Sequence, residues 1–160
     1  VIAYGCRKFM VCGGCGVLKK PITVGTLVVV SSAIRDEGVS YHYLQPSREV
    51  FAHEAGVKAL VNTLSNTNVP YHIGKTWTTD APFRETPDRI AMRKEEGCLT
   101  VEMESAGMMA VAQFRGVVLG QVLYGGDDLS CLEWDERSWQ SRTAIREKLF
   151  WLCADAVLRT

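Results

Sequence analysis

The sequence predicts an α/β fold built on a mainly parallel or mixed sheet. Three observations predict it. Short apolar or β-branched runs recur along the chain, Leu27-Val-Val-Val30 being the clearest. Amphipathic stretches of helical period lie between them, as from Ser47 to Asn66. No repeat, low-complexity tract or linker interrupts this alternation. With 160 residues, 47% of them hydrophobic, the chain is read as one domain, 1–160, with a real core. Eighteen basic and eighteen acidic residues cancel, which points away from nucleic acid and from an anionic membrane surface. No apolar run approaches the ~20 residues that cross a bilayer. The opening residues lack the charged start and apolar stretch of a secretory signal. Six cysteines without that signal read as reduced thiols, so a cytoplasmic location is expected. The first residues resemble the end of a helix, with no initiating Met. The chain is therefore expected to be a fragment lacking its N-terminal part.

In order along the chain, Lys8 to Val11 reads as a buried strand. Cys12-Gly-Gly-Cys-Gly16 then reads as a tight turn whose amides can face an anion or a flat ring. The C-x-x-C spacing raises a metal or redox alternative. No second such pair exists, and the other four cysteines are scattered, so no metal is expected. Leu27 to Val30 is a strand covered on both faces. Ser32 to Leu44 reads as a long polar loop containing Arg35-Asp-Glu-Gly38, and the lone His42 in it is given no catalytic role. Ser47 caps a helix that runs to Asn66. Tyr71 to Thr76 is a strand. The loop from Trp77 to Pro87 follows, the kind of polar, aromatic connection that makes substrate contacts or is merely pinned by Trp77 and Phe83. Pro87 to Glu96 is a charged helix stopped by Gly97. The run from Val117 to Tyr124 is a late strand, and Leu129 to Asp135 a loop that is either a lid or a solvated connection. The terminal helix runs from Glu136 to Arg159.

The most informative stretch is Leu99 to Phe114. A short β run, Leu99 to Val101, passes directly into helix formers, with Glu102 and Glu104 at the switch and Met103 between them. Alternate strand positions share a face, so both carboxylates can enter one cavity. The plainer alternative is that they complement the dipole and free amides of a helix start. The late strand likewise ends in acids, at Gly125-Gly-Asp-Asp128.

Val101-Glu-Met-Glu-Ser-Ala-Gly107 resembles the signature of the nucleoside phosphorylase and nucleosidase superfamily, of purine and uridine phosphorylase type. Further landmarks fall in the family's order: Gly13-Gly-Cys-Gly16, Val24-Gly25, Arg35-Asp-Glu-Gly38, Thr78-Thr-Asp80 and the acid after the late strand. The resemblance spans essentially the whole chain and matches the C-terminal two thirds of the usual family length. It implies a twisted mixed β-sheet flanked by helices (phosphorylase/hydrolase-like), with a site at the strand ends. The implied activity is cleavage of a nucleoside's N-glycosidic bond by phosphate or by water.

Carried over by motif, Glu104 accepts hydrogen bonds from the ribose hydroxyls and Met103 packs on the sugar. Glu102 lies beside base and sugar, Cys15 and Gly16 line the base pocket, and Phe83 with Arg84 forms the base-side loop. Gly13 and Gly14 face the phosphate. Asp127 matches the acid that protonates a departing purine. The chemistry agrees: cleavage builds positive charge on the sugar, which carboxylates stabilise, and negative charge on the base, which a proton donor relieves. Burial beside Asp128 is expected to keep Asp127 protonated through desolvation and like-charge repulsion.

Three positions depart from the pattern. Val11 and Gly14 stand where phosphorylases carry an Arg and a hydroxyl residue. The guanidinium is the natural bidentate phosphate clamp, so either Arg7, Arg35 or an Arg from a missing segment replaces it, or water is the acceptor, or the activity has changed. Pro82 stands near the usual base-stacking aromatic. The expected partners are thus a purine-leaning nucleoside and inorganic phosphate as co-substrate, with no organic cofactor, no nucleic acid and no membrane, in a homo-oligomer (dimer or hexamer). A nucleosidase is the alternative, and a non-catalytic nucleoside-binding relative is the third possibility.

Overall fold

The computed structural model describes every residue except Leu132 and Arg142. Its strands are β1 (Lys8–Val17), β2 (Leu27–Asp36), β3 (Glu49–Phe51), β4 (Tyr71–Thr79), β5 (Cys98–Glu102) and β6 (Val118–Asp128). Its helices are α1 (Glu54–Leu64), α2 (Pro87–Glu95), α3 (Ser105–Arg115) and α4 (Thr143–Leu158). The sheet order is β3-β2-β4-β5-β1-β6, with parallel pairs β2–β4, β4–β5 and β1–β6. Antiparallel contact joins β1–β5, β2–β3 and β2–β6. In the last of these, Leu27 to Val29 of β2 lies against Val122 to Tyr124 of β6. The sheet therefore curls until its far strand returns to β2, leaving β3 as an edge. This is the expected mixed sheet, but closed, because β2 offers one edge to two partners in succession.

Helices cover both sides. α3 sets Ala106, Met109 and Ala112 against Val30, Ala33, Leu119 and Leu123. α1 and α4 together bury Leu60, Leu64, Leu149 and Cys153 over Leu27, Val29 and Val122. α1 lies very close to β6: a methyl group added at Gly56 would sit 2.6 Å from the Leu119 carbonyl oxygen. Gly56 and Gly120 are what let the two backbones meet.

Several expected boundaries move, each for a visible reason. The Gly-rich stretch is not a turn but the second half of β1, paired with β6 through Cys15. Gly14 is registered with Tyr124, whose ring lies 3.0 Å from where a Cβ would stand, so an aromatic side chain fills the space the glycine leaves. β2 continues through Asp36 instead of ending in a loop at Ser32. Arg35, only 2% exposed, ties that end down by donating to Ser40 Oγ (2.9 Å), the Gln45 carbonyl (2.8 Å) and Ser47 Oγ (2.6 Å). Ser47 is thereby engaged elsewhere, and the expected long helix divides into β3 and α1. His53 caps α1 in its place, accepting the Ala55 amide at 3.2 Å.

β4 extends to Thr79, and Trp77 is wholly buried within it, not in a surface loop. Its indole N–H donates to Asp36 Oδ2 (3.0 Å), an oxygen that Arg93 of α2 also reaches at 2.9 Å. α4 starts at Thr143 and not at Glu136. Arg137 and Ser138 both adopt positive φ (53° and 48°), which no α-helix accommodates.

Candidate functional site

β1 and β5 run antiparallel and overlap only at their C-terminal ends, Gly16 opposite Val101 and Val17 opposite Thr100. That head-to-head meeting brings the Gly-rich segment to the Val101–Glu104 turn. β6, parallel to β1, delivers Asp127 to the same place, and β4 delivers the loop after Thr79. The result is a cleft of about 340 Å³ lined from all four directions. Gly14, Cys15, Gly16, Glu102, Met103, Glu104 and Asp127 all face it. The packing is tight at its floor: a Cβ at Gly16 would come within 2.6 Å of Leu129 Cδ1 and 2.8 Å of Val101 Cγ1.

The two glutamates differ sharply. Glu102 is buried and holds the start of α3: its Oε2 accepts the amides of Glu104 and Ser105, each at 2.7 Å. Its Oε1 accepts the Thr78 hydroxyl proton at 2.6 Å, while Thr78 Oγ accepts the Ala106 amide at 3.0 Å. Burial pushes the Glu102 carboxyl above the ordinary range, and these hydrogen bonds oppose it. Complementing a helix start is thus a role Glu102 performs, in addition to edging the cleft. Glu104 is exposed, and its carboxylate makes no hydrogen bond among the described residues. Met103, 45% exposed, lies beside it. Both also border a second, largely apolar cavity of about 410 Å³.

Also on the cleft, Asp127 Oδ2 accepts the indole N–H of Trp134 at 2.7 Å. Its neighbour Asp128 is not a free negative charge. It accepts the Ser130 amide at 2.7 Å and pairs with Arg137. Although burial works against it, these contacts hold the Asp128 carboxyl below its usual range. The expected like-charge pressure on Asp127 from Asp128 is therefore replaced by ion pairing, because strand neighbours point to opposite faces. The acid that does lie beside Asp127 is Glu85, in the loop after β4. Desolvation, reinforced by the Asp127 charge, raises its carboxyl to about 7.

Sequence reasoning did not single out Glu85, although it stands two residues beyond Phe83 in a loop already marked as a substrate-contact candidate. It likewise missed Trp139, whose side chain closes the cleft. Phe83 and Arg84, expected at the base side, are not brought to this cleft. Phe83 is fully exposed and borders a neighbouring cavity, and Arg84 lines neither space, while Pro82 and Glu85 line the cleft. The short 3₁₀ turn Pro82–Arg84 puts Pro82 and Glu85, three residues apart, on one side. Gly13 lies within the β1–β6 ladder next to Leu123 and does not line the cleft.

Cys12 packs with the α1–α4 cluster and Cys15 with the α3 cluster, on opposite faces of one strand, so they do not form a dithiol couple. Burial, with Glu102 and Asp127 nearby, drives the Cys15 thiol far up, which keeps it neutral. Arg35, a candidate phosphate ligand, is fully engaged by its own loop.

The family model described as "Phosphorylase superfamily" matches residues 1–148. The chain belongs to the phosphorylase superfamily. Among superfamily relatives, guanosine phosphorylase of Halorubrum lacusprofundi is 27% identical over 118 residues, covering 74% of this chain and 49% of that protein. Uridine phosphorylase of Klebsiella aerogenes is 29% identical over 132 residues, covering 74% of this chain and 52% of that protein. The chain thus spans about half the length of the curated relatives it matches. The solved P knowlesi homolog of P falciparum PNP superposes with a TM-score of 0.80 at 19% identity, over 98% of this chain and 64% of that one. That likeness establishes the superfamily's α/β fold here, with mixed sheet and flanking helices. Among the described residues, no helix is long and apolar enough to cross a membrane.

Proposed function

We propose that the protein is a nucleoside phosphorylase that cleaves the N-glycosidic bond of a purine-leaning nucleoside with phosphate, giving free base and ribose 1-phosphate. The single observation that carries this reading is that Glu104 and Asp127, from separate chain segments, line one cleft together with Cys15 and Gly16. Membership of the superfamily and its curated phosphorylase relatives support the reaction class.

In this reading the unengaged carboxylate of Glu104 accepts the ribose hydroxyls, Met103 packs on the sugar, and the carboxylates stabilise the positive charge that develops there. Asp127 relays a proton to the base as the bond breaks, and Glu85, whose carboxyl lies at about 7, is the reserve that supplies it. Gly14 faces the phosphate side of the cleft, with Glu102 fixing the turn that presents Met103 and Glu104. The same reading takes the protein as a cytoplasmic homo-oligomer, dimer or hexamer.

A second reading is favoured by one specific observation. Among the described residues lining the cleft there is no Arg or Lys, and Val11 occupies the strand position where a clamp is expected. Phosphate carries its charge into a site only where cationic or amide donors meet it. Either a cation comes from outside these residues, or water is the attacking group and the protein is a nucleosidase.

Incubating the protein with a nucleoside panel, with and without phosphate, and separating the products by chromatography tests all readings. Base release that requires phosphate supports phosphorolysis. Release in its absence supports the nucleosidase. Binding of a nucleoside without turnover of any of them leaves a nucleoside-binding relative.

A further inference from the structure

A second cavity adjoins the cleft. Pro82, Glu85 and Asp127 line the cleft and also line this second cavity of about 740 Å³, so these three stand at the neck where the two spaces meet. The cleft itself, near 340 Å³, already lies at the lower limit of small-molecule sites, roughly 300 Å³, so a nucleoside of ordinary size fills it. The larger cavity lies past the acid assigned to the base, on the side away from Met103 and Glu104. Its walls are mainly apolar: Phe83, Ile90, Ala91, Leu129 and Trp134 face it. The charged group there besides the neck acids, Lys94, is turned to the Ser130 carbonyl at 2.6 Å. At the neck, Asp127 already holds the Trp134 indole N–H, whereas the Glu85 carboxyl has no hydrogen-bond partner among the described residues.

We propose that this second cavity is a subsite for a substituent on the base, and that its ligand is a purine nucleoside whose exocyclic nitrogen carries an apolar group. The inference rests on the nucleoside reading of the cleft. The edge of a 6-aminopurine offers an acceptor, N7, beside an N–H donor. Asp127 serves the first and Glu85 accepts from the second, which sets the exocyclic nitrogen at the neck with its substituent free to enter the second cavity. The substituent then leaves water for the apolar walls, with Trp134 and Phe83 providing flat surfaces for a ring. An unsubstituted base uses the neck and leaves the subsite empty.

The test compares adenine with N6-benzyladenine in equilibrium binding by calorimetry, and adenosine with N6-benzyladenosine in turnover, in the protein and in Ala91→Trp. Ala91 is an exposed position on α2, so the larger side chain fills the subsite without entering the core. Burial of the added ring is expected to tighten binding of the benzyl base about tenfold or more over adenine. In Ala91→Trp that ratio should fall to near one.

A ratio at or below one in the unmodified protein overturns the subsite, and so does a high ratio that survives Ala91→Trp. If the ratio behaves as expected while no nucleoside is cleaved, the subsite stands and the enzymatic reading fails. If adenosine is cleaved while the benzyl compounds neither bind nor react, the enzymatic reading stands and the subsite fails. Binding of neither base, with neither nucleoside cleaved, overturns both.

Discussion

Trp134 reaches back across the loop after β6 and donates its indole N–H to Asp127 Oδ2 at 2.7 Å. The donor fixes the plane of the Asp127 carboxyl, leaving Oδ1 toward Gly16 and the cleft. The loop that sequence reasoning left as either a lid or a solvated connection is thus tied to the candidate acid.

Because Trp134 is 63% exposed, its replacement should cost the fold little. Trp134→Phe keeps an aromatic ring and removes the N–H donor. On the proposed reading, losing the bond that orients the Asp127 carboxyl lowers kcat/KM for the nucleoside by about tenfold. Steady-state rates alongside a thermal melt check it. A variant with unaltered Tm and unaltered kcat/KM would remove Trp134 from the site.

The acid pair at the neck makes a prediction about pH. Glu85 titrates in the folded protein at about 7, against an ordinary value of 4.5. A carboxyl raised on folding favours the native state while protonated, and that contribution is lost as pH rises through the folded value. Wild-type stability relative to Glu85→Gln should therefore decline between pH 4.5 and about 7 and level off above. Denaturant titrations of both proteins at a series of pH values give the difference. A flat difference across that window would mean that Glu85 is ordinary.

The alternation of elements and the Glu102–Glu104 turn were legible because apolar periodicity and helix-start chemistry are local. What was not legible came from contacts between distant segments. Ser47 looks like a helix cap until Arg35 occupies its hydroxyl. Trp77 looks like a surface aromatic until Asp36 and Arg93 are brought to it. The glycines of β1 read as a turn because nothing local announces the Tyr124 ring that lies over Gly14. Motif positions picked out Glu104, Cys15, Gly16 and Asp127, which the structure brings to one cleft. Pairing of Asp128 with Arg137, and the approach of Glu85 to Asp127, depend on which face each side chain takes after the strands end.

The approach of α1 to β6 gives a stability prediction. Gly56→Ala drives a methyl group into the Leu119 carbonyl and the Gly120 backbone, neither of which is the end of a flexible side chain. The helix preference of alanine, about 1 kcal/mol, is opposed by overpacking that costs roughly 1–3 kcal/mol or more when backbone must move. Net destabilisation is expected, visible as a lower denaturation midpoint with an unaltered m-value. A more stable Gly56→Ala would mean that α1 can shift away from the strand freely.

The sharpest contrast lies between two carboxylates two residues apart. Glu102 accepts from two amides and the Thr78 hydroxyl, so Glu102→Ala leaves the first turn of α3 and a buried hydroxyl without partners. Lost capping and unsatisfied donors together are expected to cost about 2–4 kcal/mol of stability. Glu104 has no such engagement, and Glu104→Ala should leave the denaturation midpoint within error. The effect on activity runs the other way. On the proposed reading Glu104 meets the ribose as charge develops, and its removal is expected to lower kcat/KM by about 10²-fold. Paired melts and rates on the two variants decide it: if Glu104→Ala is destabilised and Glu102→Ala is not, the division of labour between cap and site assigned to this turn is reversed.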